Sequence, residues 1–164
     1  MMKRRLRKRI QKIKFLAMDC DGVLTDGSMW GDNKGFNVRD GIGIIDLQLA
    51  GIKTAIISGD TSPCIYERAK QLRINKCLTG IQNKEKAISE IFLQYNIGYS
   101  EIAYIGDDTN DGGAMKMVGL PVAVMDATTE IKKIAVYTTK AKGGHGAVRE
   151  VCDLILKVKN KIKT

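Results

Sequence analysis

The 164-residue chain is poor in the residues from which many sites are built. It has a single histidine, His145, and four cysteines, Cys20, Cys64, Cys77 and Cys152, with no Cys-x-x-Cys spacing. That excludes the usual structural zinc sets and a dithiol redox pair. His145, with no second histidine to share a metal, reads as a surface or substrate-adjacent residue. No stretch approaches the ~20 apolar residues of a membrane helix. The basic N-terminus is not followed by the apolar segment of a secretory leader. Free thiols without an export signal fit a reducing compartment, so a cytoplasmic location is expected. There is no internal repeat, low-complexity linker or second-domain boundary. A hydrophobic content of 44% over this length suits one domain with one core.

Acid is missing from the two ends. Residues 1–14, MMKRRLRKRIQKIK, hold eight basic residues and no acidic one, and Lys157, Lys159, Lys161 and Lys163 add four more at the C-terminus. The middle then carries fifteen basic residues against 18 acidic ones, so the formal net charge of +9 belongs to the tails. Such an arm could serve nucleic acid or an anionic lipid surface. No aromatic residue is interleaved for base stacking, which favours a solvated lead-in helix. The expected organisation is a basic lead-in over 1–14, one domain over 15–158 and a basic tail over 159–164.

What the chain does have is concentrated at residues 15–27, FLAMDCDGVLTDG. A short apolar run enters Asp19, Cys20, Asp21 and Gly22, the pattern of a buried strand ending in two carboxylates. Side chains alternate along a strand, so Asp19 and Asp21 are expected on one face and Cys20, packed, on the other. Two acids this close call for a cation, and hard divalent ions take carboxylate oxygens. Taken alone, the pair could equally be two solvated turn aspartates.

Strand and helix patterns alternate from there on. Met29 and Trp30 lead into the turn-rich Gly31-Asp32-Asn33-Lys34-Gly35, and Phe36 and Val38 resume, which predicts a hairpin with a loop of about five residues. After Asp40, Ile42, Ile45 and Leu49 recur at helical spacing, with Gly51 as the stop. Strands are expected over 52–58, 75–79, 102–106, 121–124 and 136–139. Helices are expected from Pro63 onward and over 84–95, 111–118, 128–135 and 147–158. The alternation predicts an α/β fold, a Rossmann-like parallel sheet with helices on both faces and a protruding β-hairpin. Ligands of such sheets bind beyond the carboxyl ends of the strands, where the strand order reverses. Asp19, Ser58 and Asp107 all fall at such ends. No long insertion follows the hairpin or separates Ser58 from Lys84, so no cap domain is expected.

The spacing D-x-D-G-V-L-T-D-G resembles the first motif of the haloacid dehalogenase superfamily of phosphotransferases. Ser58 at the end of TAIISGD, Lys84 after QN, and Asp107, Asp108 and Asp111 in GDDTND match its other motifs in order. Asp21 separates the members: dehalogenases need no acid there and transport ATPases have threonine, so a phosphatase or phosphomutase is implied. FNVRDG at 36–41, PVAVMDA at 121–127 and GGHGAVREVCDLIL at 143–156 narrow the resemblance to the 3-deoxy-D-manno-octulosonate 8-phosphate phosphatases. Those are cytoplasmic tetramers of lipopolysaccharide precursor synthesis, with hairpins meeting at the centre.

The resemblance assigns roles that the chemistry of the residues can fill. Asp19 would be the nucleophile and Asp21 the general acid, then base. Mg²⁺ would be held by Asp19, Asp107 and the backbone carbonyl of Asp21. Ser58 and Lys84 would bind phosphoryl oxygens, although Ser58 also suits a helix N-cap. Asp108 and Asp111 would orient metal waters and Lys84. Asn37, Val38, Arg39, Asp40, Gly41, Arg68 and Lys84 would contact the sugar phosphate, with GGHGAVRE a flexible tail reaching a site. Arg39 and Arg68 suit the carboxylate of a sugar acid, which guanidinium binds bidentately. Asp60 and His145, also expected at the substrate, depart from the pattern: they stand where the family usually has arginine. An acid at 60 is similar to phosphatases of nine-carbon sugar acids, so nonulosonate 9-phosphates remain the second substrate class.

Overall fold

Short apolar runs form strands covered on both faces, and four of them, buried except for Lys53, build the centre of the sheet. The computed structural model describes residues 2–159. Met1 and residues 160–164 lie outside the described residues, and with them Lys161 and Lys163 of the basic tail. The parallel strands are β1 (Phe15–Met18), β4 (Lys53–Ile57), β5 (Lys76–Leu78), β6 (Ile102–Gly106), β7 (Leu120–Ala123) and β8 (Tyr137–Thr138). Their order is β5-β4-β1-β6-β7-β8. Met18 pairs with both Ile56 and Ile105, so β1 lies at the point where the chain turns from building one side of the sheet to building the other.

Helices α1 (Arg4–Lys12), α2 (Val38–Leu49) and α7 (Ala147–Val158) pack together, and α4 (Lys84–Tyr95), α5 (Gly112–Met117) and α6 (Thr129–Ile134) form a second group; α3 (Pro63–Gln71) links β4 to β5. Val148, Val151, Ile155 and Val158 are buried on α7, as their spacing predicts. The α4 and β6 bounds also match the sequence pattern. No cap domain interrupts the fold among the described residues.

Four expectations need correction. The hairpin is tighter than the sequence suggests. Strand β2 (Met29–Trp30) pairs with β3 (Asn33–Lys34) across the two residues Gly31 and Asp32, so Lys34 is a strand residue rather than a loop residue. On α2 the stripe Ile42, Ile45 and Leu49 faces outward, while Ile44 and Leu47 are buried. The helix is apolar on two faces, and periodicity alone does not say which one meets the core. The lead-in helix α1 is not merely solvated: Ile10 is fully buried, as is Ile13 just beyond it, and Arg9 donates to the Gly119 carbonyl. The GGHG segment is no flexible tail. Gly143 N donates to Asp126 Oδ1 and Gly144 N to the Val23 carbonyl, both at 2.9 Å, before α7 begins.

Candidate active site

Asp19, Ser58 and Asp107 are each the first residue past their strands, β1, β4 and β6, and neighbouring registers bring them to one rim. Asp19 N donates to the Ile105 carbonyl at 3.0 Å, which extends the β1–β6 pairing by one residue and fixes the Asp19 backbone. Asp21 reaches the same rim, though not by strand alternation. The strand ends at Met18, and the Cys20 carbonyl accepts from Val23, Leu24 and Thr25, so residues 20–25 form a turn. Gly22 in this turn has φ +77°, and a Cβ there would lie 1.9 Å from Asp107 Oδ2. Only glycine lets the two loops meet so closely. Cys20 is buried, as expected for packing.

Lys84, the first residue of α4, is buried with its ammonium 2.9 Å from Asp19 Oδ2 and 2.7 Å from Asp111 Oδ1. Asp111 is saturated. Its Oδ1 also accepts from Tyr104 Oη at 2.7 Å, and its Oδ2 accepts from the amides of Asp107 and Asp108. Asp19 Oδ1 accepts from the Cys20 amide at 2.7 Å. Burial works against the charged form of Lys84, but Asp19 and Asp111 outweigh it and raise its pKa.

Asp19, Asp107 and Asp111 bring one carboxylate oxygen each within 4.8 Å of one another. Burial, then repulsion from Asp111, pushes Asp19 up to about 7. Burial, then Asp19 and Asp111, pushes Asp107 up to about 8. Carboxylates so disposed favour a hard divalent cation, which would relieve both causes of repulsion. Asp111 has no oxygen to spare, so Asp19 and Asp107 are the carboxylates fit to hold it. They line a cavity of about 560 Å³ together with Asp21, Asp26, Asp108 and Asp126. A larger depression of about 920 Å³, lined by Asp46, Leu49, Tyr137 and Arg149, contains none of Asp19, Asp21, Ser58, Lys84 and Asp107. Here donor chemistry locates the site better than volume does.

A matching sequence and fold occur in known proteins. Residues 79–151 match the model of the haloacid dehalogenase-like hydrolases. The 3-deoxy-D-manno-octulosonate 8-phosphate phosphatase of Yersinia pestis is 42% identical over 160 residues, covering 94% of this chain and 86% of that protein. The chain belongs to this phosphatase family. The Moraxella catarrhalis phosphatase, solved with magnesium, phosphate and its KDO molecule, superposes with a TM-score of 0.93 at 36% identity, over 97% of this chain and 94% of that one. The cobalt-bound Haemophilus influenzae phosphatase gives a TM-score of 0.90 at 37% identity, over 93% and 92%.

The other residues singled out from the sequence fall into four places: the turn after β4, the start of α2 with Arg68, the segment before α7 and the turn before α5. Ser58 is buried, and its Oγ accepts from Asp60 N at 3.2 Å. Asn37 caps α2, accepting from the amides of Arg39 and Asp40. Asp40 is buried, its Oδ1 taking the Arg149 amide at 2.8 Å in the first turn of α7, and burial raises its pKa. Val38 and Arg39 are exposed, and the Arg39 guanidinium has no hydrogen bond or ion pair among the described residues. Gly41 makes room for Arg68, whose Nη2 would be 2.7 Å from a Cβ at that position, and Arg68 lies 5.7 Å over the Phe36 ring. His145 is exposed, its Nδ1 2.9 Å from the Gly143 carbonyl. Asp108 caps the 3-10 turn ahead of α5.

Two side chains escape a reading of the sequence. Tyr104 lies within β6, where an apolar run conceals its hydroxyl. Lys34 falls in what looks like a loop. Its ammonium is 2.6 Å from Asp21 Oδ1 and 2.6 Å from Asp60 Oδ2. A shorter hairpin register, with Lys34 paired opposite Met29, is the available signal.

Proposed function

We propose that this chain hydrolyses 3-deoxy-D-manno-octulosonate 8-phosphate to the free sugar acid and phosphate through an aspartyl-phosphate on Asp19. The observation that carries this is Asp19 at the switch point of the sheet, tied to Lys84 beside Asp107, in a chain 42% identical to a phosphatase of that substrate. When bound, Mg²⁺ held by Asp19, Asp107 and the Asp21 carbonyl offsets the repulsion between carboxylate and phosphate. An Asp19 oxygen attacks phosphorus, and the bond from phosphorus to the sugar oxygen breaks. Asp21, protonated at this stage, gives its proton to the departing oxygen. Asp21 then takes a proton from water, the resulting hydroxide attacks phosphorus, and Asp19 is regenerated with release of phosphate. Ser58 Oγ accepts from Asp60 N, which leaves its O–H free to donate to a phosphoryl oxygen. Lys84 orients Asp19 and puts positive charge beside the transferring group.

The segment over 37–41 and Arg68 serve the sugar acid, with the unpaired Arg39 guanidinium on its carboxylate. Asp60 meets the substrate not as a bare anion but as a partner of Lys34, which favours the eight-carbon acid over the nine-carbon one. Steady-state kinetics on 3-deoxy-D-manno-octulosonate 8-phosphate and a nonulosonate 9-phosphate test this. The eight-carbon ester should be preferred at least tenfold in kcat/KM, worth ~1.4 kcal/mol of transition-state binding. A reversed preference, restored by Asp60→Arg, would overturn the substrate reading.

The chain works as a homotetramer. Met29, Trp30, Val38, Ile42, Ile45 and Leu49 form exposed apolar surface on the hairpin and on the outer face of α2, more than a two-stranded hairpin can bury alone. Light scattering at micromolar concentration should give four chains, and a fully active monomer would contradict it. No helix among the described residues is long and apolar enough to cross a membrane, and the reading places the enzyme in the cytoplasm as one catalytic domain over 15–158.

A further inference from the structure

Among the described residues, Lys34 is the hairpin side chain that enters the catalytic rim. Its side chain is completely enclosed, while its two partners, Asp21 and Asp60, are partly open to solvent. The ammonium joins three separate segments. Asp21 Oδ1 belongs to the turn after β1 and also accepts from Thr25 Oγ1 at 3.3 Å. Asp60 Oδ2 belongs to the loop after β4, where Ser62 Oγ donates to both Asp60 oxygens and Asp60 N donates to Ser58 Oγ. Lys34 itself comes from β3. Asp21 Oδ2 has no hydrogen-bond partner among the described residues, and Asp21 lines the cavity that holds Asp19 and Asp107.

We propose that Lys34 is a positioning residue for Asp21: anchored through Asp60 to the Ser58 loop, it fixes Oδ1 so that Oδ2 faces the leaving oxygen. This rests on the phosphatase reading of the site. A flexible carboxylate must be held to transfer a proton in both directions, and a doubly paired ammonium fixes one oxygen without consuming the other. Asp60 departs from the arginine usual at its position, and its pairing with Lys34 gives that departure a role. An arginine there would face the Lys34 ammonium instead of pairing with it. The hairpin becomes part of the catalytic machinery rather than a contact element alone.

Comparing two esters tests this. The sugar phosphate needs its alkoxide protonated as it leaves, whereas p-nitrophenyl phosphate releases a stable phenolate. Lys34→Met should lower kcat on the sugar phosphate by about 10²-fold, within the usual range for general acid catalysis, with KM little changed. The loss on p-nitrophenyl phosphate should be several-fold smaller, and Lys34→Arg should restore part of it. Asp60→Asn, which keeps the lysine but loosens its anchor, should show the same ester dependence more weakly. It decides the matter if Lys34→Met does not fold. Equal losses on both esters, or an effect on KM alone, would overturn the proposal. Wild-type protein inactive on both esters would instead overturn the phosphatase reading on which it rests.

Discussion

Lys84 and Lys34 each bridge two carboxylates, yet the surroundings of the two bridges differ. Lys84 projects from the first turn of α4 into a sealed cluster, where its partners Asp19 and Asp111 have side chains only 8% and 0% exposed. Lys34 projects from a two-residue strand, and its partners Asp21 and Asp60 are 37% and 27% exposed. In the first cluster an unpaired charge has nowhere to go, so the bridge holds the fold as well as the nucleophile. In the second, water can screen a broken pair, so the bridge acts mainly on where Asp21 points. The division suits the chemistry: the nucleophile must stay fixed, whereas the proton-transfer group alternates between two states.

The sharpest way to separate the clusters is to remove the nucleophile and nothing else. Asp19→Asn should lower turnover by about 10⁴-fold or more while the protein still unfolds cooperatively, because the carboxylate serves chemistry rather than packing. Phosphate-release assays, with deamidation excluded by mass spectrometry, check it. Next in size, Lys84→Met should reduce kcat by about 10²–10³-fold. It should also cost about 3–5 kcal/mol in denaturant unfolding, since Asp19 and Asp111 are left buried without a cation. A loss of activity with unchanged stability would remove the contrast drawn between the two lysines.

A smaller effect concerns the cation. Without it Asp19 and Asp107 sit at about 7 and about 8, both above the ordinary carboxylate range. The folded state then holds protons that the unfolded state has released, so stability falls as the pH rises from about 4 to 8. A bound Mg²⁺ replaces those protons. The gain in thermal midpoint on adding Mg²⁺ should therefore be larger at about pH 8 than at about pH 5, and equal gains would mean that these carboxylates do not hold the ion. The smallest effect belongs to Asp60, which Lys34 holds down to about 2 against the opposing effect of burial, with Ser62 assisting. Its contribution is present above pH ~4 and is lost as the pH falls toward about 2. Lys34→Met should flatten that part of an acid titration of the thermal midpoint.

The same contrast explains what could be read from sequence. Asp19, Ser58, Asp107 and Lys84 announce themselves because each sits at the end of an apolar run or the start of a periodic helix. The parallel sheet brings such ends together. The α4, β6 and α7 bounds were legible for the same reason. Lys34 was not, because a two-residue strand offers no periodicity and its partners Asp21 and Asp60 lie far from it along the chain. Nor was the outward face of α2: Ile42, Ile45 and Leu49 have helical spacing, but only the packed structure shows that Ile44 and Leu47 face the core. The saturation of Asp111 likewise depends on the Tyr104 hydroxyl, which lies inside an apolar strand.

In this reading the phosphoryl group passes through a covalent bond to Asp19. Rapid acid quench during turnover of 3-deoxy-D-manno-octulosonate 8-phosphate with Mg²⁺, followed by peptide mass spectrometry, tests it most directly. A phosphoryl group should appear on the peptide that contains Asp19 and be absent in Asp19→Asn. Turnover by the wild-type protein with the phosphoryl group on another residue, or full activity in Asp19→Asn, would contradict it.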